Sequence, residues 1–238
     1  MSPTFRFEVL SVAKDAGRPA STEDAVGIDE SLGLAVLVDG ATASFDAQGW
    51  GQALVTSVLD LGAVIAPYRL LPRALDGAWR DYAPVLTRPR TPGVPEKPSG
   101  ATIGVLRLFA EADGGLSWVT ELIGDVNVLV RRPGMRPLHA HDLPATAYDS
   151  HPELVKTPAS SPLVMRVTNK MLATPGDTIL VFSDGLGPWL LGDPDERVDE
   201  VIACDLQDFE EIVLAERQAG RMIVDDTTLI RCSILAER

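Results

Sequence analysis

Two apolar runs constrain this chain more than any other feature. "LAVLVDG" spans Leu34 to Gly40 and "ILVFSDG" spans Ile179 to Gly185. Neither alternates between apolar and polar residues. A strand that is apolar on both sides needs cover on both sides, so each run predicts a strand inside a layered structure. Each also stops at Asp-Gly, which places an acid at the end of a well-fixed strand.

The rest of the chain supplies the layers. Phe5 to Val12 reads as a strand, Val26 to Ile28 as a short one and Leu34 to Val38 as a buried one. Leu54, Val55, Val58, Leu59 and Leu61 recur at helical spacing, which predicts a helix from Trp50 to Ile65 ended by Pro67. A second helix is expected from Leu71 to about Tyr82. The proline-rich stretch "PVLTRPRTPGVPEKPSG" predicts a connecting loop. Strands resume at Ala101 to Phe109, Leu116 to Leu122 and Val126 to Arg131, with "EADGG" as a hairpin turn. Residues 133–175 show little periodicity. Thr178 to Phe182 reads as a strand, Leu186 to Leu191 as a helical turn, Leu206 to Glu216 as a helix and Thr227 to Ile234 as the last strand. Strands and helices do not alternate one by one. The order therefore favours α+β, with antiparallel sheets and helices packed outside, over a doubly wound parallel sheet. One domain over residues 1–238 is expected.

Composition narrows the function. The 238 residues are 45% hydrophobic, enough for one large core. No apolar stretch has membrane length, and the start, "MSPTFRFEVLSVAK", lacks the apolar core of a secretory signal. A soluble cytoplasmic protein is expected. Cys204 and Cys232 stand alone in apolar surroundings and read as buried thiols. His139 and His141 form an H-x-H pair with no third ligand in view, a weak basis for a metal site. The net charge is -13, from 34 acids against 21 bases, which argues against nucleic-acid binding. An acidic protein that handles phosphate needs local positive charge, and a bound cation is the obvious source. The plainer alternative is that the acids keep the surface soluble.

Five acidic corners stand out: Glu23-Asp24, Asp39-Gly40, Gly124-Asp125, Asp184-Gly185 and Asp225-Asp226. A single Asp-Gly is ordinary turn chemistry. Several on rigid strand ends are good candidate ligands. Were they to converge, like charges would raise their pKa values, and a divalent cation would relieve the repulsion. Oxygen ligands without Cys or His point to Mg²⁺ or Mn²⁺. Glycine beside the acid lets a backbone carbonyl approach the ion. Spacing alone does not establish that the corners meet.

"STEDAVGI", "LAVLVDGATAS", "SGATIGVLRL", "LIGDVNVLVRR", "GDTILVFSDGL" and "DDTTLIRC" occur in the order seen in the metal-dependent protein phosphatases of type 2C. The chain resembles bacterial-type members of that family from Arg18 to Cys232. The resemblance implies a four-layer α-β-β-α sandwich with two central antiparallel sheets. It also implies a protein serine/threonine phosphatase, in which a hydroxide bridging two Mn²⁺ or Mg²⁺ ions attacks the phosphorus of a phosphorylated protein. Asp39 would bridge the ions, and the Gly40 carbonyl would bind one of them. Asp184 and Asp225 would ligate the second. Glu23 and Asp24 would hold waters in the outer shell, and Asp125 would help hold a third ion. "SGAT", Ser99 to Thr102, would be structural.

The pattern departs from the family at three places. Many members carry an arginine four residues before the Glu, to grip the phosphate. Here that position is Pro19, and Arg18 lies one residue earlier, so Arg18 either reaches the phosphate or stays on the surface. Ala41 and Thr42 stand where some members have a histidine. Asp226 stands where asparagine is common, and Asp225 and Asp226 could trade roles. Two alternatives to the protein phosphatase follow: a catalytically weak or silent phosphoprotein-binding regulatory domain on the same fold, and a phosphatase of small phosphate esters. A haloacid-dehalogenase-type phosphatase fits worse, because "VDGAT" lacks the second acid of the Asp-x-Asp nucleophile motif.

Overall fold

A computed structural model describes residues 4–66, 69–86, 98–140, 148, 152–157 and 163–236. The elements follow in chain order: β1 (Thr4–Val12), β2 (Ala25–Asp29), β3 (Leu34–Gly40), α1 (Ala47–Gly62), α2 (Leu70–Leu86), β4 (Ser99–Ala110), β5 (Leu116–Ile123) and β6 (Asn127–Arg131). Four short strands come next: β7 (Leu138–His139), β8 (Val155–Thr157), β9 (Arg166–Val167) and β10 (Met171–Ala173). The chain closes with β11 (Thr178–Phe182), α3 (Gly187–Gly192), α4 (Pro194–Ala203), α5 (Leu206–Gln218) and β12 (Thr227–Leu235).

The strands form two sheets, and every pairing is antiparallel. One runs β1-β12-β11-β6-β7. The other runs β10-β5-β4-β3-β2, with β8 beside β4 and β9 beside β5. The expected α+β class and paired sheets are what the structure has.

Three apolar clusters show why four layers form. In β3, Leu34, Val36 and Val38 pack with Trp50, Leu54 and Val58 of α1 and Leu71 of α2. Ala35 and Leu37 of the same strand face the other way, against Ile179 and Val181 of β11. Leu180 and Phe182 of β11 then turn to Leu190, Val198 and Phe209 of α3, α4 and α5. The two runs that open the sequence argument are thus the inner strands, each covered by helices on one face and by the other sheet on the other. Period-two alternation hides in them because both faces are apolar.

Some expectations need correction. The proline-rich stretch is helical at its start, because α2 continues through Pro84 to Leu86. Pro84 costs the helix one ladder hydrogen bond, the one its missing N–H would donate. Strand β6 begins at Asn127, since Val126 belongs to the turn. The helix expected to run to Ile65 ends at Gly62, and Pro67 lies outside the described residues, as does His141. Helix α4 is an addition. Among the described residues, no helix is long and apolar enough to cross a membrane.

Candidate metal centre

Strand register brings the acidic corners to one end of the sandwich. Ala25 pairs with Val38, so Asp24 continues opposite Asp39. Asp39 pairs in turn with Thr102 of β4. In the other sheet Phe182 pairs with Leu229, so the segment after β11 runs alongside the residues that open β12. Val12 pairs with Thr227, which carries Lys14 toward Asp225. Asp125 sits in the turn that passes from β5 in one sheet to β6 in the other. The acids therefore come from both sheets and meet over the seam between them.

Two glycines permit the approach. A Cβ on Gly40 would lie 2.7 Å from the Glu23 carbonyl oxygen, and one on Gly185 would lie 2.1 Å from that of Asp226. Only a residue without a side chain lets these turns close on one another.

The electrostatics confirm the crowding. Lost hydration holds the Asp39 carboxyl well above the usual carboxylate range, and the charges of Asp24, Asp184 and Asp125 add to it. Asp39 and Asp184 lie close enough that each perturbs the other. Asp184 is raised by lost hydration and by the charge of Asp225. Burial pushes Asp24 up to about 7 against the hydrogen bonds from Thr228 and Ser183, and the charge of Asp226 adds to the shift. Burial, then Asp184, pushes Asp125 up to about 6. The Ser183 hydroxyl donates to Asp24 Oδ2 at 3.1 Å and so ties one sheet to the other.

Several oxygens are left over. Asp24 Oδ1 and both carboxylate oxygens of Asp125 are buried without a hydrogen-bond partner. Buried carboxylate oxygens without donors are costly unless a cation meets them. The set is all oxygen, which suits a hard ion such as Mg²⁺ or Mn²⁺. Among the described residues, no three acids, histidines or cysteines already form a closed ion site. Glu23 is engaged by Lys14 and by the Thr42 hydroxyl, and Asp225 faces Lys14. The residues present fit a divalent ion once those partners give way.

Asp225 and Asp226 have different roles. Asp226 is 4% exposed and spends both oxygens on backbone, accepting from Lys14 N at 2.8 Å and from Glu23 N at 2.7 Å. It clamps the two ends of the loop before β2. That leaves Asp225, with its side chain 39% exposed, as the ligand candidate of the pair. Arg217 of α5 supports the corner from behind. Its guanidinium donates to the carbonyls of Ala13 and Asp225 and to the Thr227 hydroxyl.

Arg18 stands apart. Its side chain is 81% exposed, and its guanidinium faces Asp15 at 3.9 Å. Arg166 lies beside Asp125, donating to the Gly124 and Val126 carbonyls. A second cation that sequence reasoning missed reaches the acids directly, Lys14. Its Nζ donates to Glu23 Oε2 at 3.0 Å and to Thr42 Oγ1 at 2.9 Å, and lies 4.0 Å from Asp225 Oδ1. Burial works to lower the Lys14 pKa. The hydrogen bond to Glu23 and the charges of Glu23, Asp225 and Asp226 overcome that and raise it. Extending the β1–β12 register past Val12 would have found it.

The chain has the fold of the PPM serine/threonine phosphatases. The catalytic domain of serine threonine protein phosphatase PstP, in complex with two manganese ions, superposes with a TM-score of 0.67 and 18% identity, covering 99% of this chain and 100% of that one. Stp1 from Staphylococcus aureus gives a TM-score of 0.68 at 14% identity, over 99% of this chain and 97% of that one. RsbX in complex with magnesium gives 0.63 at 14%, over 97% and 95%. At such identities the likeness establishes the shared fold. No family model and no curated protein matches the sequence.

Proposed function

We propose that residues 1–238 form one type 2C phosphatase domain, a Mn²⁺- or Mg²⁺-dependent hydrolase of phosphoserine and phosphothreonine in proteins. The observation that carries this reading is the meeting of Asp24, Asp39, Asp125, Asp184 and Asp225 over the seam, with buried oxygens left without donors. The fold shared with PstP, solved with two manganese ions, and with RsbX, solved with magnesium, supports it. Asp39 and the Gly40 carbonyl, with Asp184 and Asp225, would hold two ions. Asp24 and Glu23 would hold water in the outer shell, and Asp125 would serve a third ion. Divalent ions there supply a positive field for phosphoryl oxygens and acidify water for attack on phosphorus. Ser183 orients Asp24, and Asp226 fixes the backbone of Glu23.

The test is hydrolysis of p-nitrophenyl phosphate and phosphopeptides with Mn²⁺ and with chelator. Asp39→Asn is expected to lower the Mn²⁺-dependent rate by more than about 100-fold, since outer-shell partners alone are worth about 10–100-fold. Negligible turnover by folded wild-type protein in both conditions would refute the enzyme. One observation favours the regulatory reading: Arg18, which either reaches the phosphate or stays on the surface, has its side chain 81% exposed and faces Asp15. That reading predicts phosphoprotein binding that survives Asp39→Asn. Comparing phosphopeptides with small phosphate esters separates the remaining alternative.

A further inference from the structure

We propose that Lys14 is a tethered cation that competes with a divalent ion for the Glu23 and Asp225 side of the carboxylate cluster. The proposal rests on the metal centre described above and concerns how this chain loads it.

The geometry is built rather than incidental. Asp226 accepts the Lys14 backbone N–H at 2.8 Å, which fixes where the side chain starts. The ammonium then reaches Glu23 in one sheet's corner and faces Asp225 in the other's, at 3.0 and 4.0 Å. Thr42 completes its surroundings, accepting from Lys14 Nζ while donating to Glu23 Oε2 at 2.5 Å. Lys14 thus engages one acid proposed to ligate the second ion and one proposed to hold water in the outer shell. Its side chain is 31% exposed, so the ammonium has a route out to solvent without any change in the core.

The charges set the consequence. A divalent ion arriving at Asp225 meets a positive charge a few ångströms away and must displace it. Arg166, bonded to the Gly124 and Val126 carbonyls, puts its charge beside Asp125, whereas Lys14 puts its own beside Glu23 and Asp225, so the ion that uses Asp225 is the one Lys14 weakens. The second ion binds only as Lys14 swings clear, so the two affinities are spread apart. Removing the charge brings them together.

The test is Mn²⁺ titration of the full chain by calorimetry, with electron paramagnetic resonance as an independent count of bound ions. In Lys14→Met and Lys14→Gln the weaker of the two dissociation constants is expected to fall about tenfold, the scale of one nearby unit charge in a partly solvated site. Lys14→Arg keeps the charge and is expected to stay near wild type. A wild type that binds one ion and a Lys14→Met variant that binds two is the same result in stronger form. An unchanged or weaker second constant in both neutral variants overturns the proposal, as does one ion in every protein. Wild type that binds no Mn²⁺ overturns the metal centre itself, and the proposal with it. Melting in chelator checks the fold of each variant, and Lys14→Gln keeps a polar side chain should Lys14→Met misfold.

Discussion

Asp226 offers the sharpest test of how the corner is built. Its two oxygens accept from the backbone of Lys14 and Glu23 at 2.8 and 2.7 Å, in a residue only 4% exposed. A hydrogen bond to a charged acceptor contributes about 1.5–3 kcal/mol, so Asp226→Ala forfeits about 3–6 kcal/mol. Part of this returns, because the charge of Asp226 repels Asp24 and Asp184. That relief is about 1–2 kcal/mol at the effective dielectric of a protein surface. The net cost is then about 2–4 kcal/mol. Asp226→Asn keeps one acceptor and turns an NH₂ toward the other N–H, at a cost of about 2 kcal/mol. Urea denaturation in chelator measures both. With an m-value of about 2 kcal/mol/M, the alanine variant loses about 1–2 M in midpoint. A midpoint within roughly 0.3 M of wild type would show that the two backbone N–H groups find other partners, and the clamp would be refuted.

Two further outcomes are expected. In chelator, Asp24 and Asp125 keep protons up to about 7 and 6 that the unfolded chain releases near 4, so the folded state binds more protons across that window. Stability therefore falls as pH rises from about 4 to 7, and saturating Mn²⁺ removes the slope; melting temperatures flat over that range in chelator would contradict it. Gly185→Ala places a Cβ 2.1 Å from the Asp226 carbonyl oxygen, and overpacking of this kind costs about 1–3 kcal/mol. Because the strain falls beside Asp184, Mn²⁺ affinity is expected to drop as well, read by the same calorimetric titration.

The inner strands were legible because a run such as "LAVLV" has one stable home, covered on both faces. Helix α1 was legible from its apolar spacing. The strands β7 to β10 were not: two or three residues carry no period, and their pairing with β4, β5 and β6 decides them. Helix α4 begins "PDERVDE", which exposes most of its surface and leaves only Val198 and Val201 buried to signal it. At the site, acid identity was readable but convergence was not, since it depends on register between strands far apart in sequence. The choice between Asp225 and Asp226 needed the hydrogen bonds of the loop before β2. Arg18 drew attention by proximity to the motif, yet the strand that ends at Val12 delivers Lys14 instead.

Ser183 and Asp24 join the two sheets at the edge where the proposed ligands gather. An ion held there, as proposed, would act as a rivet through both halves of the sandwich. Stripping it out will loosen the sheets together, so amide exchange will quicken along β3 and β11 alike, far from any atom the ion touches.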